Sequence, residues 1–310
     1  MATSSEILGS NLISTRIYTP RSLFRYYGAN IRFALGISLS ILALLHYKSA
    51  LLRKIRRQGK SYAVELYRNQ NELEGHIMIH IENVTKSYGN NQVLKGINLR
   101  IEKGSCTALV GRNGSGKSTL VDIVCKAKKA NSGIIRYDFA EEKIFDHMGV
   151  QLQDASFDSR LKVKDIINLW KSIYGGAKAD LNELIDVLDL APIMNNRSEK
   201  ISGGQRQKLS ILLSLFHDPQ LLIFDELTTG LDATTRDDVQ EYLKMINKTR
   251  GKTIFIVSHY MDEVEALCDM AYFLKDGIIF ESGSPSTIKE KYSCDSLQAF
   301  VKKYMGKEAA

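Results

Sequence analysis

The balance of apolar and polar positions changes character along the chain. Residues 1–30 are polar and rich in Ser, Thr and Arg, with Glu6 the only acid. Phe33 to Leu52 is mostly apolar, but it reaches the length of a membrane span only by including His46 and Lys48. A basic cluster, Arg53, Lys54, Arg56, Arg57 and Lys60, follows it. A spanning helix needs about twenty mainly apolar residues, so spanning and surface-lying helices both fit this stretch. A cleaved transit peptide fits residues 1–32, and an extension with no role in the remainder is the fourth reading. We expect a membrane-contacting helix over about 33–52, with the basic cluster on the cytosolic side.

From about His76 the pattern becomes an alternation of strands and helices. Ile77–Ile81 and Val93–Ile101 are predicted strands. Thr107–Val110 is a short buried strand that runs into a glycine-rich loop and then a helix. Leu221–Phe224 and Thr253–Val257 are continuous apolar runs, as parallel strands covered on both faces should be. Ala271–Phe280, with Lys275-Asp276-Gly277 at its centre, predicts a hairpin. Helical patterns lie between these runs, so the fold class is α/β with a mostly parallel central sheet. The expected organisation is a basic N-terminal extension over 1–75, one large domain over 76–290, and a C-terminal tail over 291–310.

Charge matters because of where it sits. Residues 1–75 hold 11 Lys/Arg against 4 Asp/Glu, while the remainder holds 31 of each sign. The large domain therefore has no electrostatic reason to seek nucleic acid, and no nucleic-acid partner is expected. The four cysteines are scattered, with no zinc-site spacing, and are expected to be isolated thiols in a reducing cytosol.

The chemistry begins at Gly111-Arg112-Asn113-Gly114-Ser115-Gly116-Lys117-Ser118-Thr119, which fits G-x-x-x-x-G-K-[ST] between a strand and a helix. Glycines let successive backbone N–H groups turn inward around phosphate oxygens, and a helix N-terminus adds a favourable dipole. Lys117 is then placed for the β- and γ-phosphates of ATP, and the Ser118 hydroxyl for Mg²⁺. The apolar run Leu221–Phe224 ends in Asp225-Glu226. A carboxylate there can hold the Mg²⁺ shell, and its neighbour can polarise an attacking water. Ser202-Gly203-Gly204-Gln205 lies about twenty residues ahead of that strand and is unremarkable alone.

Taken in order, P-loop, Ser-Gly-Gly-Gln and strand-Asp-Glu, residues 77–285 resemble the ATP-binding domain of ABC transporters. The resemblance implies a P-loop core, an N-terminal antiparallel β subdomain and an inserted helical subdomain that carries the signature. It also implies roles for single residues. Tyr88 resembles the aromatic that stacks on adenine. Gln153, placed by Leu161-Lys162-Val163 downstream, is similar to the glutamine that reaches the metal and the attacking water, with Gln151 as the alternative. Asp232 in Thr229-Gly230-Leu231-Asp232 resembles the D-loop aspartate at the dimer interface, and His259 the switch histidine that contacts the γ-phosphate. Ser202 to Gln205 would cover ATP held by a second ABC ATPase domain, with Arg206 nearby. A homodimer or a pairing with a homologous subunit is therefore implied, together with a membrane permease and a location at the cytoplasmic face of the cell membrane. Ser258–Asp269 resembles the corresponding segment in exporters of drugs, antibiotics and peptides. A soluble ABC ATPase acting on ribosomes or nucleic acid, or as a regulator, is the rival function. Two positions depart from the family pattern. Ile201 stands where Leu is common, a change that should be tolerated. Leu227 stands where Pro is common, a change expected to loosen the D-loop approach.

Overall fold

The computed structural model describes residues 76–152 and 157–306. The helix expected over 33–52 and the candidate Gln153 lie outside the described residues. Among the described residues no helix is long and apolar enough to cross a membrane.

The first two strands are longer than the apolar pattern predicts. β1 (Ile77–Tyr88) and β2 (Asn91–Glu102) pair antiparallel, and β4 (Ser132–Tyr137) joins the free edge of β1. Register shifts let β1 continue past its apolar start; one surrounds Asn83, whose φ is 47°. Asn98 Oδ1 accepts the Asn83 N–H at 3.0 Å, which satisfies the amide released by the irregularity.

The main sheet has the order β5-β6-β7-β3-β8-β9. β5 (Met148–Gln151), β6 (Leu221–Asp225), β7 (Thr253–Ser258), β3 (Cys106–Gly111) and β8 (Met270–Lys275) run parallel. β9 (Ile278–Gly283) turns back antiparallel through Asp276 and Gly277, both at positive φ as a two-residue hairpin requires. Side chains alternate across this sheet. Leu109, Ile223, Phe255 and Leu274 enter a core shared with β1, β2 and α1 (Lys117–Val124). Val110, Phe224, Ile256 and Phe273 enter a larger core on the opposite face. Burial on both faces explains why these strands read as unbroken apolar runs.

That second core is covered by helices. α2 (Val163–Tyr174) and α3 (Leu181–Val187) contribute Ile166, Trp170 and Leu184, and α4 (Gly203–Leu215) contributes Leu209 and Leu212. α5 (Ala233–Arg250) and α6 (Met261–Leu267) add Leu243 and Val264. The last helix of the region read as 76–290 and the described part of the tail, residues 291–306, fold back onto the same core. α7 (Pro285–Tyr292) and α8 (Leu297–Phe300) bring Ile288 and Phe300 into it, and Phe300 packs edge-on to Phe273 with ring centroids 4.8 Å apart. Glu265 of α6 fastens the return, accepting from Leu297 N at 2.6 Å and Lys289 Nζ at 2.8 Å.

All four cysteines are free thiols, but two of them are close neighbours, which their sequence spacing did not indicate. Cys106 and Cys268 are buried with their sulfurs 3.5 Å apart, because β3 and β8 pair in parallel and bring together positions 162 residues apart.

Candidate active site

β3 delivers the glycine-rich loop at the carboxyl end of the sheet, beside the ends of β6 and β7. Two glycines are dictated by space. A Cβ on Gly111 would lie 2.5 Å from the Leu274 carbonyl, and one on Gly116 would lie 2.7 Å from Leu94 Cδ2. Gly116 also sits at φ 108°, a conformation closed to most L side chains, and directly precedes α1. Lys117 is only 8% exposed, and its ammonium donates to the loop's own carbonyls, Gly111 O at 2.7 Å and Arg112 O at 3.0 Å. Burial pushes its pKa below the usual lysine range, against the pull of Asp225 and Glu226. Ser115 Oγ is buried without a hydrogen-bond partner. A buried ammonium, an orphaned hydroxyl and a helix start within one loop fit an anion such as a polyphosphate.

The carboxylates stand beside this loop. Asp225 ends β6 and is 5% exposed. Burial and the adjacent Glu226 raise its pKa to about 6, while Lys117 and the Ser118 hydroxyl partly offset them. Ser118 and Asp225 are hard oxygen donors, as Mg²⁺ requires when phosphate and water complete its shell. Glu226 holds φ 58°, a conformation that costs a non-glycine residue about 1–3 kcal/mol. Its N–H donates to Val257 O of β7 at 2.9 Å. Its Oε1 lies 3.5 Å from His259 Nδ1, and its Oε2 accepts from Thr229 Oγ1 at 3.4 Å. The His259 ring packs on Tyr260, with centroids 4.1 Å apart. P-loop, Asp225, Glu226 and His259 are thus gathered at one end of the sheet.

Tyr88 ends β1, 45% exposed, with the Lys86 and Lys128 ammonium groups 5.3 Å and 5.6 Å from its ring centroid. Val93 and Leu94, in the strand that follows Tyr88, border Gly116.

The Ser-Gly-Gly-Gln segment opens α4. Ser202 caps it, accepting from Gln205 N at 3.1 Å, and Gln205 Oε1 accepts from Ser202 N at 3.0 Å. Ser202 and Gly203 are exposed, and a Cβ on Gly203 would meet open space. Gly204 faces inward, where a Cβ would lie 2.4 Å from Gly230 O. Two side chains the sequence did not single out complete this junction. Gln207 Nε2 donates to Glu226 O at 3.0 Å and Leu227 O at 2.9 Å. Lys208 reaches Asp232 Oδ2 at 3.6 Å. Asp232 itself caps α5, accepting from Thr235 N at 2.9 Å. Leu227, which stands where Pro is common, is fully buried, and its carbonyl accepts from Gln207. Another unforeseen group is Glu263 of α6, buried near Ser258, Thr228 and Arg236. Burial pushes its carboxyl above the usual range.

A parallel sheet that presents a phosphate-binding loop, a buried Lys-Asp pair and a Glu-His pair at one end defines a P-loop nucleoside triphosphatase. Residues 94–229 match the family described as ABC transporter. A Nod factor export ATP-binding protein I of Rhizobium sp. is 31% identical over 238 residues, a match that covers 72% of this chain and 77% of that protein. ABC transporter G family member 23 of Dictyostelium discoideum is 31% identical over 233 residues, which span 72% of this chain but only 33% of that longer protein. Among solved structures, the ATP-binding cassette MJ0796, a dimer bound to ADP and Pi in a post-hydrolysis state, is 26% identical with a TM-score of 0.60. That match covers 67% of this chain and 98% of the cassette. The chain belongs to the ATP-binding proteins of ABC transporters, and it is an ATPase of that family.

Proposed function

We propose that this chain powers an exporter, working as one of two ATP-binding cassettes beneath a partner permease at the cytoplasmic face of the membrane. The observation that carries the reading is the convergence of Lys117, Asp225, Glu226 and His259 at one end of the sheet. In this reading Gly111 to Thr119 cradle the phosphates of ATP, and Tyr88 supports the adenine. Ser118 and Asp225 would hold Mg²⁺, which would supply charge neutralisation to the phosphates when bound. Glu226 accepts a hydrogen bond from the attacking water. His259, 3.5 Å from that carboxylate, orients it and faces the γ-phosphate.

The exposed Ser202 and Gly203 support a role toward a second cassette, since one chain has one phosphate loop and one signature. The similarity to a dimeric cassette and to a Nod factor export protein supports the pairing and the direction of transport. For the N-terminal segment we retain the membrane-contacting helix over 33–52.

Copurification of the full chain from detergent-solubilised membranes tests this. A permease and a second cassette should come with it in stoichiometric amounts, and Lys117→Ala should abolish ATP hydrolysis in that complex. Hydrolysis near the wild-type rate in Lys117→Ala would overturn the site. Isolation with ribosomes instead of a permease would overturn the transport reading. Membranes stripped of the permease should still retain the full chain, and release by high salt would mark a surface-lying helix, since screening weakens attraction to anionic lipid.

A further inference from the structure

Gln151 closes β5, beside Phe224 of β6, and is fully buried. Its Nε2 donates to Leu152 O at 2.9 Å and approaches Asp225 O at 3.3 Å and Gln207 Oε1 at 3.4 Å. Three carbonyl-type acceptors around one nitrogen fix the orientation of the amide, because the reverse would set oxygen against oxygen. Its Oε1 then has no hydrogen-bond partner. A buried amide with an orphaned acceptor is a poor structural choice, and an apolar side chain of the same length would fill the space at less cost. The neighbours show what the amide reaches.

Gln207 takes up the line where Gln151 leaves it. Both of its amide hydrogens go to the backbone around the proposed base, at Glu226 O and Leu227 O. Glu226 is therefore held on both sides, by β7 through its N–H and by α4 through its carbonyl, in a left-handed conformation that few non-glycine residues adopt. Those two anchors set the direction in which the carboxylate leaves the backbone.

We propose that Gln151 and Gln207 are positioning residues. They form a buried amide relay that ties the end of β5 to the backbone of Glu226 through the signature helix. The inference rests on Glu226 acting as the base. A shift at the end of β5 reaches the Glu226 backbone through two buried side chains, and the Gln151–Gln207 contact at 3.4 Å is the longest link of the set.

The test uses the full chain and its purified complex, with Gln151→Met, Gln207→Met and the double variant. Methionine preserves length and burial and removes the hydrogen bonds. For Gln151→Met we expect a melting temperature equal to or above wild type, a KM for ATP within about twofold, and kcat lower by about tenfold or more, since small misplacements of a catalytic group are costly. The double variant should be no slower than the slower single one, because groups that act as one unit are not additive. Wild-type kcat in Gln151→Met would overturn the proposal. So would a lower melting temperature with kcat unchanged, the mark of a purely structural amide. Multiplying losses in the double variant would overturn it as well. Should Gln207→Met fail to fold, Gln207→Glu keeps the acceptor and removes the donors, and the same kcat-against-KM split applies. A Glu226→Gln arm separates the two readings: if that variant hydrolyses ATP normally, the assignment of the base fails first, whatever the relay does.

Discussion

Asp225→Asn should stabilise the protein when nucleotide and metal are absent, although it removes a proposed metal ligand. The carboxyl is buried, and its pKa is raised from 3.8 to about 6, chiefly by burial and then by Glu226. A group whose folded pKa lies above its unfolded value contributes stability at low pH and loses it as pH rises through the folded value. The window here runs from about pH 4 to about pH 6. A shift of about two units corresponds to a cost of about 3 kcal/mol at pH 8, as each unit is worth about 1.4 kcal/mol. That figure is an upper bound, because an asparagine also leaves the buried Lys117 ammonium with one fewer negative neighbour. The assay is thermal or urea unfolding of wild type and Asp225→Asn in EDTA, from pH 5 to pH 8. The variant should be the more stable at pH 8, and its advantage should shrink to about half at pH 5. With saturating ATP and Mg²⁺ the order should reverse, because only wild type gains the full binding energy. A variant that is less stable at pH 8 without ligand, or an advantage that does not change with pH, would refute the reasoning.

Glu226→Gln keeps the shape of the side chain and loses the carboxylate, so ATP should bind and persist. Size-exclusion chromatography should show an ATP-dependent dimer that wild type does not accumulate, and turnover equal to wild type would assign the base elsewhere. Gly204→Ala places a methyl 2.4 Å from Gly230 O, and overpacking of that kind costs about 1–3 kcal/mol. Gly203→Ala meets open space and should melt within about 0.5 kcal/mol of wild type, as surface substitutions usually do. Both should depress ATP hydrolysis if the segment covers a second cassette's nucleotide, so denaturation midpoints together with turnover separate packing from partner contact.

The parallel strands were legible because their runs are covered on both faces, as at Leu221–Phe224 and Thr253–Val257. The phosphate loop was legible because backbone geometry there dictates residue type. β1 was only half legible. Beyond Ile81 it continues through polar, partly exposed positions with a bulge at Asn83, and pairing with β2 and β4 holds it extended where local pattern does not. β4 itself, exposed over its first half and partly buried over its second, carries no apolar alternation to read. The packing of Phe300 and Val301 depends on contacts with Phe273 and Glu265 that no local window holds. Gln207, Lys208 and Glu263 escaped notice for a related reason. Their partners lie on other elements, and a polar residue on a helix reads as solvent-facing until the fold buries it.

The fit of Gly204 against Gly230 also has a consequence for genetics. The obstacle to a larger residue at position 204 is one carbonyl oxygen of the same chain. A selection that begins from Gly204→Ala should therefore return second-site suppressors clustered between Thr228 and Leu231, changes that swing that carbonyl aside. They should restore function only when encoded on the same gene copy as the original lesion. Supplying the altered loop on a separate copy should leave the defect in place.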